Sequence, residues 1–232
     1  MNLTVFNYAL RRSLKNPIVL AVNLVLPFAI ILFAFDAPSI RGENRGYYIL
    51  AMILMFGAYL AARGIRDDNM ERTVIRILAG PITMRSYLVQ NFFSTMLPVT
   101  GIIFASVALG TAVHGWEIRF AALLALCYLF LAATSVGLSF AWSCIFNNKE
   151  TSFAVFSVVL TMVASLGGLF IPLEFLPGPL AYISAIFPPH WAARAIETLL
   201  NGDDLHMYFL SLLAMALFAT AFLLYGGRRR IL

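Results

Sequence analysis

Six apolar runs, each near the length that a ~30 Å hydrocarbon core demands of an α-helix, divide this chain. They cover residues 17–35, 46–62, 87–113, 120–146, 151–172 and 207–225, each bounded by charge or by Gly and Pro. The second is short, and Arg63 extends it by carrying its guanidinium to the interface. Lipid is the solvent that suits such a chain. It is 61% hydrophobic and 12% charged, against about 45–50% and about 25% in soluble domains, so too few polar side chains exist to cover a water-facing exterior. The expected fold is an all-α integral membrane protein of six transmembrane helices, forming one domain over residues 1–232, since no loop can hold an independent core and no internal repeat is visible.

Basic residues set the expected orientation, because Lys and Arg are retained on the cytoplasmic side of short loops. Six spans leave both termini on one side. Placing them inside assigns Arg11, Arg12, Lys15, Arg63, Arg66, Arg72, Arg76, Arg85, Lys149, Arg228, Arg229 and Arg230 to the cytoplasm and leaves Arg41, Arg45, Arg119 and Arg194 outside, twelve against four. The net charge of +5 therefore reads as membrane orientation and not as a nucleic-acid surface, since the arginines flank apolar spans and do not interleave on one soluble face. Cys127 and Cys144 share the run 120–146, where a disulfide would have to join opposite ends of one helix, and both are read as packing residues.

Three segments are neither span nor simple loop. No Ala-x-Ala-like cleavage site follows the first apolar run, so the N-terminus is expected to stay. There Leu3, Phe6, Leu10 and Leu14 recur at helical spacing opposite Tyr8, Arg11, Arg12 and Lys15, the pattern of a helix lying in the headgroup plane. The link 63–86 is longer than a connection needs. In it Met70, Val74, Ile77 and Leu78 form an apolar stripe, Asp68, Arg72 and Arg76 line another face, and Gly80 and Pro81 stop the helix. Asp68 precedes Arg72 by four residues, a small favourable pair. Periodicity describes an amphipathic helix resting on the membrane; a docking surface for a cytoplasmic partner is the functional alternative. Between the fifth and sixth runs, residues 175–187 and 191–200 are apolar but too short to cross, and Pro172, Pro177, Pro179, Pro188 and Pro189 punctuate them. Such pieces are expected to dip into the outer leaflet and return. Glu174 stands at their mouth, either as an interfacial charge facing Arg194 or on a substrate route, and His190 and Trp191 read as interfacial anchors.

The missing chemistry narrows the function. Ion-coupled transporters place titratable groups inside their spans, whereas the six cores here offer Asn23, Gln90 and Asn91 as their most polar groups, suited to bonds between helices. The two lysines, Lys15 and Lys149, follow no Gly-x-x-x-x-Gly pattern that would cradle ATP phosphates. His114, His190 and His206 have no ligand-like spacing, and no nucleophile–base set is apparent, so an enzyme is not expected.

With these features in view, the chain resembles the membrane-spanning permease subunits of type-2 ATP-binding-cassette (ABC) exporters over essentially its whole length. The most specific match is Gly167-Gly168-Leu169-Phe170-Ile171-Pro172-Leu173-Glu174-Phe175-Leu176-Pro177 followed by Phe187-Pro188-Pro189-His190-Trp191, similar to the signature around the fifth span and its re-entrant helices. The stretch from Asp67 to Thr83 is similar to the family's coupling helix, with Arg72 standing where many members carry glycine. The resemblance implies ATPase-coupling roles for Asp68, Glu71, Arg72, Thr73, Arg76 and Pro81. It implies an outer re-entrant signature at Gly168, Pro172, Glu174, Pro177, Pro188 and Trp191. It further implies a second permease chain, two copies of a cytoplasmic ABC ATPase that binds ATP and Mg, no cofactor in this chain, a prokaryotic plasma membrane location, and outward movement of a hydrophobic or amphipathic substrate such as a drug, peptide antibiotic, lipid or glycolipid. A membrane sensor or resistance protein that binds its ligand without moving it is the alternative from another class.

Overall fold

The computed structural model describes residues 4–15, 17–35, 45–70, 73–79, 82–143, 145, 149–171, 173–202 and 205–228. Among these residues there is no strand. The helices are α1 (Thr4–Lys15), α2 (Pro17–Ala29, continued by a π turn at Ile30–Ala34), α3 (Gly46–Ala61), α4 (Arg63–Met70), α5 (Thr73–Leu78), α6 (Met84–His114), α7 (Ile118–Ser143), α8 (Lys149–Leu166), α9 (Gly178–Ser184), α10 (Pro188–Asn201) and α11 (Leu205–Arg228).

Among the described residues four stretches are long and apolar enough to cross a bilayer: Gly46–Ile65, Met84–His114, Ile118–Ser143 and Leu205–Gly226. A fifth appears if Val5–Lys15 and Val19–Phe33, which meet at 61°, count as one broken span. The six expected spans are thus four or five by length and composition, and the difference lies chiefly at the fifth run. Its helix was expected over 151–172 but α8 ends at Leu166, because Gly167-Gly168 turns the chain and Gly168 takes φ +90°. Only Gly reaches that backbone region without strain.

The arrangement is centred on α7, whose apolar window is 61% buried against 28% for α11. It packs on α3, α6, α10 and α11. Small residues bring α7 and α11 together: a Cβ built on Gly137 would stand 3.0 Å from the Ala219 carbonyl oxygen, so the two backbones nearly touch. Polar side chains fasten α7 to α3 across sequence, with Tyr128 donating to the Tyr47 carbonyl at 2.9 Å and Ser135 to that of Met55 at 2.5 Å. Outward, α11 presents Phe209, Leu213, Leu217 and Leu224, and α6 presents Phe93, Leu97 and Phe104. Apolar faces of that extent belong against lipid or protein.

The polar groups within the spans divide in their use. Gln90 accepts from the Phe6 amide of α1 at 3.1 Å, a bond between helices, while Asn23 and Asn91 donate to carbonyls one turn back on their own helices, Val19 and Tyr87. Asn23 is also the residue one turn before Pro27, whose ring displaces the i−4 carbonyl and whose missing N–H loosens the helix. The π turn follows directly. Cys127 is buried in α7, and Cys144 lies outside the described residues.

Candidate functional site

The segment between α3 and α6 folds as two short helices, α4 and α5, with Glu71 and Arg72 between them outside the described residues, as Pro81 is beyond α5. Val74 is fully buried and Ile77 packs on the core, which anchors α5 by its apolar side, while Arg76 is exposed and Thr73 is half-buried. Thr83 then caps α6, its hydroxyl accepting from the Ser86 amide at 3.3 Å.

Asp68 takes a position that spacing did not indicate. Its carboxylate does not join Arg76 on an outer face. Asp68 Oδ1 accepts from Arg12 Nη1 at 2.6 Å, and Oδ2 accepts from Arg12 Nη2 at 3.1 Å and from the Tyr87 hydroxyl at 2.9 Å. The pair is bidentate, with the Asp68 side chain 12% exposed. Burial by itself would lower the Arg12 guanidinium, but the hydrogen bonds and charge of Asp68 hold it above its ordinary value, so the arginine stays ionised. On its other side Arg12 lies 5.8 Å from the Tyr8 ring centroid. Within the two-faced α1, Arg12 departs from the exposed side that Tyr8, Arg11 and Lys15 share and turns inward to the counter-charge on α4. Neighbouring Asp67 makes a looser pair with Arg63 at 3.6 Å.

At the other end of α3 lies the hairpin α9–α10. Arg45, which precedes α3, donates to the Phe170 carbonyl at 3.3 Å, while α4 leaves the far end of the 20-residue stretch Gly46–Ile65, so the two segments are separated by about 30 Å at 1.5 Å per residue. Pro177 and Pro188 start α9 and α10 with pre-set φ, as prolines do at helix entries. Gly168 brings the chain round to them. Pro172 and the Glu174 side chain lie outside what is described; the Glu174 backbone belongs to a single 3₁₀ turn, Leu173–Phe175.

His190 and Trp191, expected as interfacial anchors, bond within the hairpin, while Tyr182 of α9 is 85% exposed. Trp191 Nε1 donates to the Ala185 carbonyl at 2.9 Å, and His190 Nδ1 lies 2.8 Å from the buried Ser184 hydroxyl, so α10 is tied twice to the end of α9. Burial and then the charge of Arg194 hold the His190 imidazole below its ordinary value. The fold thus favours the neutral ring, and its contribution is lost as pH falls through and below about 6.5, where the unfolded chain binds a proton the fold resists. Thermal unfolding in detergent is expected to weaken below that pH, with a shallower acid limb in His190→Gln; identical acid limbs in both would exclude this role. No signal in the spacing linked Ser184 to His190 or Tyr87 to Asp68.

What the molecule offers is therefore a bundle of apolar helices with two short helices, α4 and α5, at one end and a short-helix hairpin at the other. Among the described residues no group of three or more His, Cys, Asp or Glu gathers to hold a metal. Residues 44–227 match the family model described as ABC-2 family transporter protein. The chain belongs to that family. No curated protein matches it. As an ABC-2 permease it is the transmembrane component of an ABC transporter, non-catalytic as the family generally is, and membership implies association with an ATP-binding subunit. The matched stretch begins after α2, so both halves of the hairpin, α4 and α5 fall inside it and α1 outside.

Proposed function

We propose that this permease serves an exporter, moving a hydrophobic or amphipathic substrate outward under the power of a separate ATPase. The observation that carries the reading is the family match over a chain whose two lysines form no phosphate-binding loop. ATP and Mg then belong to the partner. Two ATPase copies dock on two permease chains, the second being another copy or a homologue, in a prokaryotic plasma membrane. Both termini are cytoplasmic, as the twelve-to-four distribution of basic residues favours. The chain crosses six times if α1 stays in the interface, α2 spans and α8 completes its crossing through the turn at Gly167. An apolar interior without titratable relays supports an uncharged or amphipathic cargo.

In this arrangement α4 and α5, with Glu71, Arg72, Thr73 and Arg76, receive force from the ATPase, and the hairpin with Glu174 at its mouth lies on the outer side. Purification of the tagged chain in mild detergent is expected to bring down a stoichiometric chain with a Walker motif and measurable ATP hydrolysis. A chain that remains solitary and ATP-inert across several detergents, yet binds ligand, would replace this reading with that of a membrane sensor or resistance protein. Replacing Arg72 or Arg76 by Glu is expected to cut ATP-driven transport about tenfold, the scale of a lost charge-assisted contact, while the melting temperature changes little. Unchanged transport would return α5 to the membrane surface.

A further inference from the structure

Asp68 lies within the coupling segment, and it is the point where three separate elements meet. Its two oxygens accept three hydrogen bonds, two from Arg12 on α1 and one from Tyr87 on α6, and its partners are 56 residues before it and 19 after it. A carboxylate so engaged has little capacity left for a docking partner. Helix α1 is fastened to α6 a second time, through the Phe6 amide on Gln90 Oε1, and Gln90 is itself oriented by Ser86 at 2.8 Å. Two attachments about two turns apart stop α1 from rolling on α6. The guanidinium lies across Gly64 of α4, in the space a methyl group there would occupy, beside a cavity of about 50 Å³ lined by Arg12, Gly64, Asp67, Asn91 and Thr95. The residue type at position 64 is thus part of the same arrangement.

We propose that Asp68 is a positioning residue that locks α1, the coupling segment and the start of α6 into one mechanical unit, so that a displacement of α4–α5 carries α1 and α6 with it. The proposal rests on the coupling reading of α4–α5 and reaches beyond the family match, since Arg12 lies outside the matched stretch. A bidentate, partly buried pair suits this task because it is directional, and removal of Arg12 leaves the mostly buried Asp68 charge uncompensated. An apolar contact would slide.

The test uses the full chain in lipid nanodiscs, with Cys144→Ser and a nitroxide at Asn7→Cys on the exposed side of α1. The mobile fraction of the label is expected to rise about tenfold in Asp68→Asn and in Gly64→Ala, the latter displacing the guanidinium with both charges intact. Arg12→Gln combined with Asp68→Asn is expected to be no more mobile than either by itself, because the two act through one interaction. An immobile α1 in Asp68→Asn, or effects that simply add, would overturn the lock whatever the transporter does. A second label at Ala79→Cys reads the coupling step. In the complex with its ATPase, trapping with ATP and vanadate is expected to leave the distance between positions 7 and 79 unchanged in the parent and to broaden it in Asp68→Asn. A parent distance that changes on trapping as much as the variant's would show that α1 does not travel with the coupling segment. If no ATPase joins the chain, the exporter reading fails while the mobility measurement still decides the lock.

Discussion

Gly137→Leu is expected to abolish the properly folded permease, reducing monodisperse protein in detergent about tenfold and broadening what remains on size exclusion. The added atoms at Gly137 meet the Ala219 carbonyl oxygen at 3.0 Å and the Phe222 Cβ at 3.3 Å, and the first of these is backbone, which cannot rotate away. Overpacking costs about 1–3 kcal/mol where side chains can adjust, and more here because α11 itself must lift from α7. That separation also strains the hydrogen bond from the Tyr208 hydroxyl to the Leu123 carbonyl at 2.6 Å. Gly101→Leu is the control, since a Cβ there meets nothing within 4 Å on the exposed side of α6. Equal behaviour of the two variants would exclude close backbone packing as the basis of the α7–α11 contact.

Gly168→Ala is expected to lower the melting temperature by about 5–10 °C, through a cost of roughly 1–3 kcal/mol for holding a non-glycine residue in that backbone region together with a steric term. The steric term comes from Leu173 Cγ at 2.7 Å and the Ala193 Cβ at 3.1 Å from the new methyl. Relief would come from unwinding the end of α8 or from moving α10, which carries Ala193, away from position 168. Transport is expected to fall more than ATP turnover, since the damage lies about 30 Å from α4 by helix rise. A melting temperature within error of the parent would mean that position 168 does not need its left-handed conformation, and the account of why α8 stops at Leu166 would fall with it.

Much of the bundle was legible before any coordinates. Apolar length and the positions of Gly, Pro and charge located α3, α6, α7 and α11, because a helix in lipid must satisfy its own backbone and its length is set by the bilayer. The short α9 and α10 were likewise readable as apolar pieces punctuated by proline, whereas the π turn that follows α2 was not, since the run 17–35 reads as one uninterrupted span. Less visible was where α8 ends. Residues 167–172 are as apolar as the helix before them, and hydropathy does not register that Gly168 adopts φ +90°.

The candidate site divides in the same way. Arg76 exposed and Val74 buried follow from an amphipathic period that the sequence states openly. Asp68 does not follow from it, since the same spacing that aligns Asp68 with Arg76 gives no account of Arg12, 56 residues away. His190 and Trp191 carry the interfacial composition of anchors and yet bond to Ser184 and Ala185 within the hairpin.

The amino-acid sequence by itself determined that this chain lives in lipid, that it is helical and where its long helices lie, and neither Lys15 nor Lys149 follows a Gly-x-x-x-x-Gly pattern. These are properties of composition and of local period, and each is decided within about twenty residues. Only the tertiary structure decided which polar groups meet: Arg12 with Asp68 and Tyr87, Gln90 with Phe6, Arg45 with Phe170. Such pairings depend on the rotation of whole helices about their axes. That rotation is set by the sum of packing and desolvation over every contact, counter-charges among them.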